Sequence, residues 1–247
     1  NTATVIGWLN QWKKSSEQVQ MEDLTSQVAM IALQGPKSPG ILENFVSDDL
    51  SELRPFRATP MEIDGSKAYV ARTGYTGEDG FEIIIPAQTA GRVWTQLCVN
   101  GASPCGLGAR DVLRLEAGLL LHGNDMDSSV NPFEAGLGMF VNVRKHDYIA
   151  GEALRRIKVR GVKRKLVGLT IIGRGIPRRG YPILKNGEQI GQVSSGGLAP
   201  TLDSAIAMGY VPTCSSETGT LLQIDIRGRA AEAKITSLPF YTRRKSP

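Results

Sequence analysis

The sequence predicts two kinds of structure in one chain. Strands and helices alternate over the first two-thirds, and an all-β unit follows, a small barrel or sandwich. Three observations predict this. Up to about residue 157, short apolar runs closed by Gly or Pro alternate with segments of helical periodicity. Beyond that point, strand-like segments recur at short intervals with no helical segment between them. The 247-residue length suffices for a large core and for one or two domains. A boundary is placed near Lys158, giving units of 1–157 and 158–247.

The elements read as follows. "NTATVIGWLNQW" has the spacing of an amphipathic helix, with Val5, Leu9 and Trp12 on one side. It begins without Met and reads as a chain starting inside a domain. "QVAMIALQGP" reads as a buried strand ended by Gly35-Pro36, and "SPGILENFV" as a helix with Ser38 as its N-cap and Pro39 in its first turn. "GSKAYVARTGYTGEDGFEIIIP" reads as two strands joined by a loop holding Gly74, Gly77 and Gly80. "AGRVWTQLC" and "GARDVLRLEAGLLLHG" read as helices. The second spans 109–121, with apolar residues at 112, 115 and 119 and Gly123 just past its end. In the all-β part, "KLVGLTII", "YPILKNGEQIGQVSS", "SAIAMGYV" and "LLQIDIRGRAAEAKITSL" supply the strands, and Asn186-Gly187 is a type I′ hairpin signal.

Composition excludes several classes. Hydrophobic content of 41% and charge of 21% are those of an ordinary globular chain. The net charge of +5 and pI near 9.2 suit an anionic ligand or an acidic partner without requiring either. Cys98, Cys105 and Cys214 are odd in number and form no CxxC pair, which argues against a disulfide framework or a zinc site. His122 and His146 are the only histidines, which excludes a histidine-rich metal centre. There is no membrane-length apolar run, signal peptide, GxGxxG or GxxxxGK[ST] motif. The basic stretch "RRIKVRGVKRK", Arg155 to Lys165, reads as a solvated connector or as an electrostatic contact for an acidic partner. A nucleic-acid module would interleave aromatic residues here, and the stretch has none.

One charge stands out. Strand alternation puts Phe81, Ile83 and Ile85 on one face and Glu82 with Ile84 on the other. Buried without a partner, that carboxylate costs about several kcal/mol. Glu82 therefore faces solvent, pairs with an internal cation, or awaits a ligand bringing donors. Its two coplanar oxygens match a heterocycle edge with two adjacent N–H groups, as on a pterin. On the 109–121 helix, Arg110 and Arg114 share a face, and Asp111 lies three residues before Arg114. These three form surface ion pairs of little worth, or Arg110 is free to grip a ligand carboxylate as a planar fork. Tyr75, at the tip of its glycine-bounded loop, stacks on a flat ring or covers the strand ends.

"RTGYTGEDGFEI", "GLGARDVLRLEAGLLLHGND", "NPFEAGLG", "DYIAGEAL" and "AMGYVP" occur in the order and rough spacing of the glycine cleavage system T proteins. The resemblance to this aminomethyltransferase family runs from near Ile6 to Pro239-Phe240. It implies an α+β fold: antiparallel-sheet domains around a folate hole, then a C-terminal β-barrel-like domain. It implies a tetrahydrofolate-dependent enzyme that takes an aminomethyl group from the lipoyl arm of an H-protein partner. The enzyme would release ammonia and form 5,10-methylenetetrahydrofolate. Glu82 and Arg110 match the family's folate-contacting glutamate and arginine, and Tyr75 is a lining residue of the same motif. No metal is implied. The location implied is the cytoplasm for a bacterial protein and the mitochondrial matrix for a eukaryotic one.

The resemblance begins well inside the family's sequence. It implies that the catalytic aspartate lies in a preceding segment, so no residue here takes that role and the chain alone is expected to be inactive. Unpaired sheet edge and an opened cavity are expected beside the strand of Glu82. Tyr241 lies where tails of this family can reach the ligand. Two relatives compete: folate-binding proteins of iron–sulfur assembly, and the folate domain of dimethylglycine- or sarcosine-type dehydrogenases. The first carry a cysteine in a KGCYxGQE-like motif, where this chain reads "HDYIAGEAL".

Overall fold

The computed structural model describes residues 1–14, 18–145 and 147–243, so His146 lies outside the described residues. A helix, α1 (Thr2–Trp12), opens the chain and buries none of its residues. Its apolar stripe of Val5, Trp8, Leu9 and Trp12 is 42–51% exposed.

Four strands, β1 (Val28–Gln34), β2 (Ala58–Ile63), β3 (Ser66–Ala71) and β4 (Gly80–Pro86), form one antiparallel sheet in the order β1-β4-β3-β2. The faces divide by alternation. Ile31, Leu33, Phe81, Ile83, Ile85, Val70 and Ile63 pack against α2 (Ser38–Leu42) and α3 (Ala87–Val99), which contributes Val93 and Leu97. Each such apolar side chain contributes about 2 kcal/mol through the area it removes from water. The opposite face is open. Met30, Ile84 and Tyr69 form one row across it and are 37–60% exposed. β4 is interior to the sheet; the free edge beside it is that of β1. Thus β1 is buried on one face only, where the sequence suggested a buried strand.

Three local expectations need correction. Ser38 is not an N-cap: it is already helical, and its hydroxyl donates to the Asp79 carbonyl at 3.4 Å. The strand β2 was not anticipated, although Asp64-Gly65, both at positive φ, closes the β2–β3 hairpin. The helix containing Arg110, α4 (Leu107–Glu116), stops five residues before 121. Gly118, not Gly123, ends it: at φ +64 it turns the chain so that the Leu119 amide reaches back to the Arg114 carbonyl at 2.8 Å.

Among the described residues between α4 and the next α-helix there is only a 3-10 turn, Gly138–Phe140, and the basic stretch begins inside that helix, α5 (Gly151–Arg160). Lys158 falls inside α5, and the barrel's first strand begins at Arg164. The barrel is closed and antiparallel. Its strands are β5 (Arg164–Ile171), β6 (Pro182–Lys185), β7 (Glu188–Ala199), β8 (Ser204–Pro212), β9 (Leu221–Ile226) and β10 (Arg229–Thr236), in the order β10-β5-β8-β7-β6-β9. Asn186 and Gly187 take positive φ and close the β6–β7 hairpin as the sequence predicts. Inside lie Leu169, Ile183, Val193, Ala207, Ile224 and Ile235. Outside, Leu115 of α4 packs with Ala199, Ile206 and Met208 and joins the barrel to the first unit. The fold is thus α+β with a C-terminal barrel. Where the family resemblance implies more than one antiparallel-sheet domain ahead of the barrel, the described residues form one four-stranded sheet.

Candidate functional site

The β3–β4 loop, 72–79, is shaped by close approach. The Gln34 side chain passes beneath it and donates to the Thr73 and Phe81 carbonyls, both at 3.2 Å. A Cβ on Gly74 would lie 1.8 Å from Gln34 Oε1, and one on Gly80 would lie 2.6 Å from Gln34 Cδ. Only glycine leaves room for that amide at both points. The base of the loop is fixed by Arg72, whose Nε and Nη2 donate to the two Asp79 carboxylate oxygens at 3.1 and 2.5 Å. That fork holds the Asp79 carboxyl below its ordinary pKa.

Tyr75 and Arg110 come together. The Arg110 guanidinium sits 4.9 Å from the centre of the Tyr75 ring, a cation–π arrangement. The phenol donates to the Leu120 carbonyl at 2.5 Å, and burial raises its pKa. Arg110 itself is exposed. It also lines a cavity of about 590 Å³ along the free edge of β1, together with Met30, Ala32, Trp94, Cys98 and Cys105. Neither Tyr75 nor Glu82 lines that cavity.

Glu82 projects from the open face of β4 and is half-buried. Its register partners are Ala32 on β1 and Ala71 on β3, so two methyl groups flank it and space remains above. Thr73 Oγ1 donates to Glu82 Oε2; among the described residues no cation pairs with this carboxylate. Thr73 lies two residues before Tyr75, so Glu82 is tied to the loop that carries the Tyr75–Arg110 pair.

Arg114 departs most from expectation. Its i,i+3 pair with the exposed Asp111 forms as the spacing suggests, but Arg114 itself is buried (2% exposed) and the pair is one edge of a larger network. All five guanidinium protons have acceptors: Asp111 takes two, and the Leu119 carbonyl, Asp125 and Ser195 Oγ take the others. Asp125 is fully buried and also accepts from Ser194 Oγ, Ser195 Oγ and the Leu121 amide. Consecutive strand residues normally face opposite ways. A register shift between Val193 and Ser195 turns both serines toward one carboxylate. Spacing could not reveal this network, because its partners lie up to 81 residues apart.

Cys98, Cys105 and Cys214 are free thiols. Among the described residues no group of His, Cys, Asp and Glu could hold a metal ion, and no helix is long and apolar enough to cross a membrane.

Two family profiles match the chain. One, described as the GCVT N-terminal domain, covers residues 1–145; the other, the glycine cleavage T-protein C-terminal barrel domain, covers 164–242. An aminomethyltransferase of Rubrobacter xylanophilus is 46% identical over 229 residues, which is 92% of this chain and 61% of that protein. One of Thermosynechococcus vestitus is 43% identical over 245 residues, 99% of this chain and 66% of that protein. The crystal structure of glycine cleavage system aminomethyltransferase T from Bartonella henselae superposes with a TM-score of 0.81 at 35% identity, covering 88% of this chain and 60% of that one. The chain thus spans roughly six-tenths of the length of these relatives.

Proposed function

Because this chain belongs to the glycine cleavage T-protein family, we propose that it serves a tetrahydrofolate-dependent aminomethyltransferase of the glycine cleavage system. The reaction takes the aminomethyl group from a lipoylated H protein, releases ammonia and yields 5,10-methylenetetrahydrofolate. The observation that carries the assignment is Glu82, a carboxylate flanked by Ala32 and Ala71 on an open sheet face, with no donor to Oε1 among the described residues.

The residues fit a reduced folate. Glu82 matches paired N–H donors on a pterin edge, Tyr75 offers a ring edge, and the Arg110 fork is exposed for a carboxylate. Folate supplies the nitrogen that accepts the one-carbon unit. The chain's own task is to orient: Glu82 fixes the ring, Arg110 fixes the polar end, and the Gln34-braced loop carries Tyr75 against Arg110. Holding both reactants in place makes a two-body encounter effectively intramolecular. No residue of this chain is assigned the acid–base step. We read 1–157 as the folate-binding unit and 158–247 as the barrel unit. Basic α5 is the face offered to an acidic carrier.

The iron–sulfur alternative is disfavoured by the stretch 146–154, which lacks the cysteine of those relatives. The matched relatives described above are named as aminomethyltransferases. The test is a tetrahydrofolate titration in a chain extended to the relatives' full length. Glu82→Gln and Arg110→Lys should each weaken binding about tenfold or more, the scale of a charged hydrogen bond. Unchanged affinity in both variants removes the assignment.

A further inference from the structure

The C-terminal tail bridges the two elements that bear Tyr75 and Arg110. The Tyr241 phenol donates to Glu78 Oε1 on the 72–79 loop. The Tyr241 amide donates to the carbonyl of Glu116, the last residue of α4, at 2.8 Å. One residue therefore holds both sides of the stacked pair. The surroundings are closely fitted. Gly77, at φ +79, presses so tightly that a Cβ there would lie 2.8 Å from the Ala117 methyl and 3.6 Å from the Tyr241 ring. A Cβ on Gly118 would lie 3.2 Å from Pro239 Cα. Glu116 is itself buried and accepts the Thr201 amide at 2.9 Å, so the α4 end is fixed to the barrel. The loop, in contrast, is joined to the barrel's tail through side chains, Tyr241 to Glu78 and Arg243 to Asp79 at 3.7 Å.

We propose that Tyr241 is a positioning residue. Through Glu78 it latches the glycine-rich loop onto the end of α4, and so keeps Tyr75 beneath Arg110 and Thr73 beside Glu82. It acts on the loop and not on the ligand. The consequence for ligand binding rests on the folate reading above; the latch itself does not.

Amide hydrogen exchange in this chain, without ligand, tests the latch alone. Tyr241→Phe removes only the phenol oxygen and keeps the ring on Gly77. It should speed exchange of amides 73–79 by about tenfold, the scale of one hydrogen bond to a charged group, and leave the barrel strands unchanged. Glu78→Ala should do the same. Glu78→Gln keeps an acceptor oxygen and should restore most of the protection. Tyr241→Phe combined with Glu78→Ala should be no worse than either change alone. Unchanged loop exchange, additive effects, or failure of Glu78→Gln to protect each overturns the latch. In a chain extended to the relatives' full length, Tyr241→Phe should weaken tetrahydrofolate binding severalfold alongside Glu82→Gln as a reference. If Glu82→Gln binds normally, the site assignment fails whatever the exchange shows. If Glu82→Gln weakens binding and Tyr241→Phe does not, the positioning role fails.

Discussion

Arg114 Nη1 lies 2.7 Å from the Asp125 carboxylate, and the two side chains are 2% and 0% exposed. Both side chains also bond Ser195 of β7, and through it the pair joins α4 to the barrel. Its stability effect is asymmetric: removing one partner strands the other as a buried charge. Asp125→Ala should destabilise the chain by about 3–5 kcal/mol in urea unfolding. Ser195→Ala, which removes one hydroxyl between the charged groups, should cost about 1–2 kcal/mol.

Gly74→Ala should displace Gln34, since the new Cβ would fall 1.8 Å from Oε1. Gln34 then loses its hydrogen bonds to the Thr73 and Phe81 carbonyls, and stability should drop by about 2 kcal/mol. Gln34→Ala makes room for the methyl. The double variant should therefore be clearly less destabilised than the sum of the singles, as read in a denaturant cycle.

Alkaline stability should follow the tyrosines. Burial raises the Tyr210 pKa to about 12, and its phenol donates to the Asp125 carbonyl at 2.7 Å. The folded state therefore holds this proton more tightly than the unfolded state, whose value is near 10. Its contribution is intact below pH 10 and is lost as pH rises toward 12. Tyr210→Phe should flatten the stability–pH curve over that window. An unchanged slope would show that other groups govern it.

The acid limb has the opposite sign. Arg72 lowers the Asp79 pKa, so this pair stabilises the fold above the ordinary value of 3.8 and weakens as pH falls through the depressed one. Asp79→Asn should cost stability at neutral pH and lose that deficit in acid, read by thermal melts across pH 2–7.

If α5 meets an acidic lipoyl carrier, added salt should slow association steeply. Arg155 is partly committed, since its Nη1 donates to the Lys145 carbonyl, and Arg156 pairs with Glu152. Reversal of Lys158 and Arg160, both exposed, is the cleaner probe. It should lower the on-rate and leave folate affinity unchanged. An on-rate indifferent to salt and to charge reversal would leave α5 as a solvated connector.

Local rules reached as far as local causes. Asn186-Gly187 needs positive φ and says so in its residue types, so the β6–β7 hairpin was legible. The face of Glu82 followed from the period of a strand. Asp64-Gly65 carries the same kind of signal for β2–β3. Helix α4 was overextended because Leu119 continues the apolar spacing, whereas Gly118 bends the backbone away first. The burial of Arg114 depends on a bulge in a strand about 80 residues later, which no local pattern encodes. The Tyr75–Arg110 stack is intermediate: each residue was singled out, but only the fold places one on the other.

Arg114, Asp125, Ser194 and Ser195 divide one set of protons and lone pairs among themselves. None can change chemistry without leaving another unsatisfied in the dark. Over evolutionary time these four positions should therefore drift as a block. A lineage that trades the arginine for an apolar residue should trade the aspartate in the same step and be free to straighten the bulged strand.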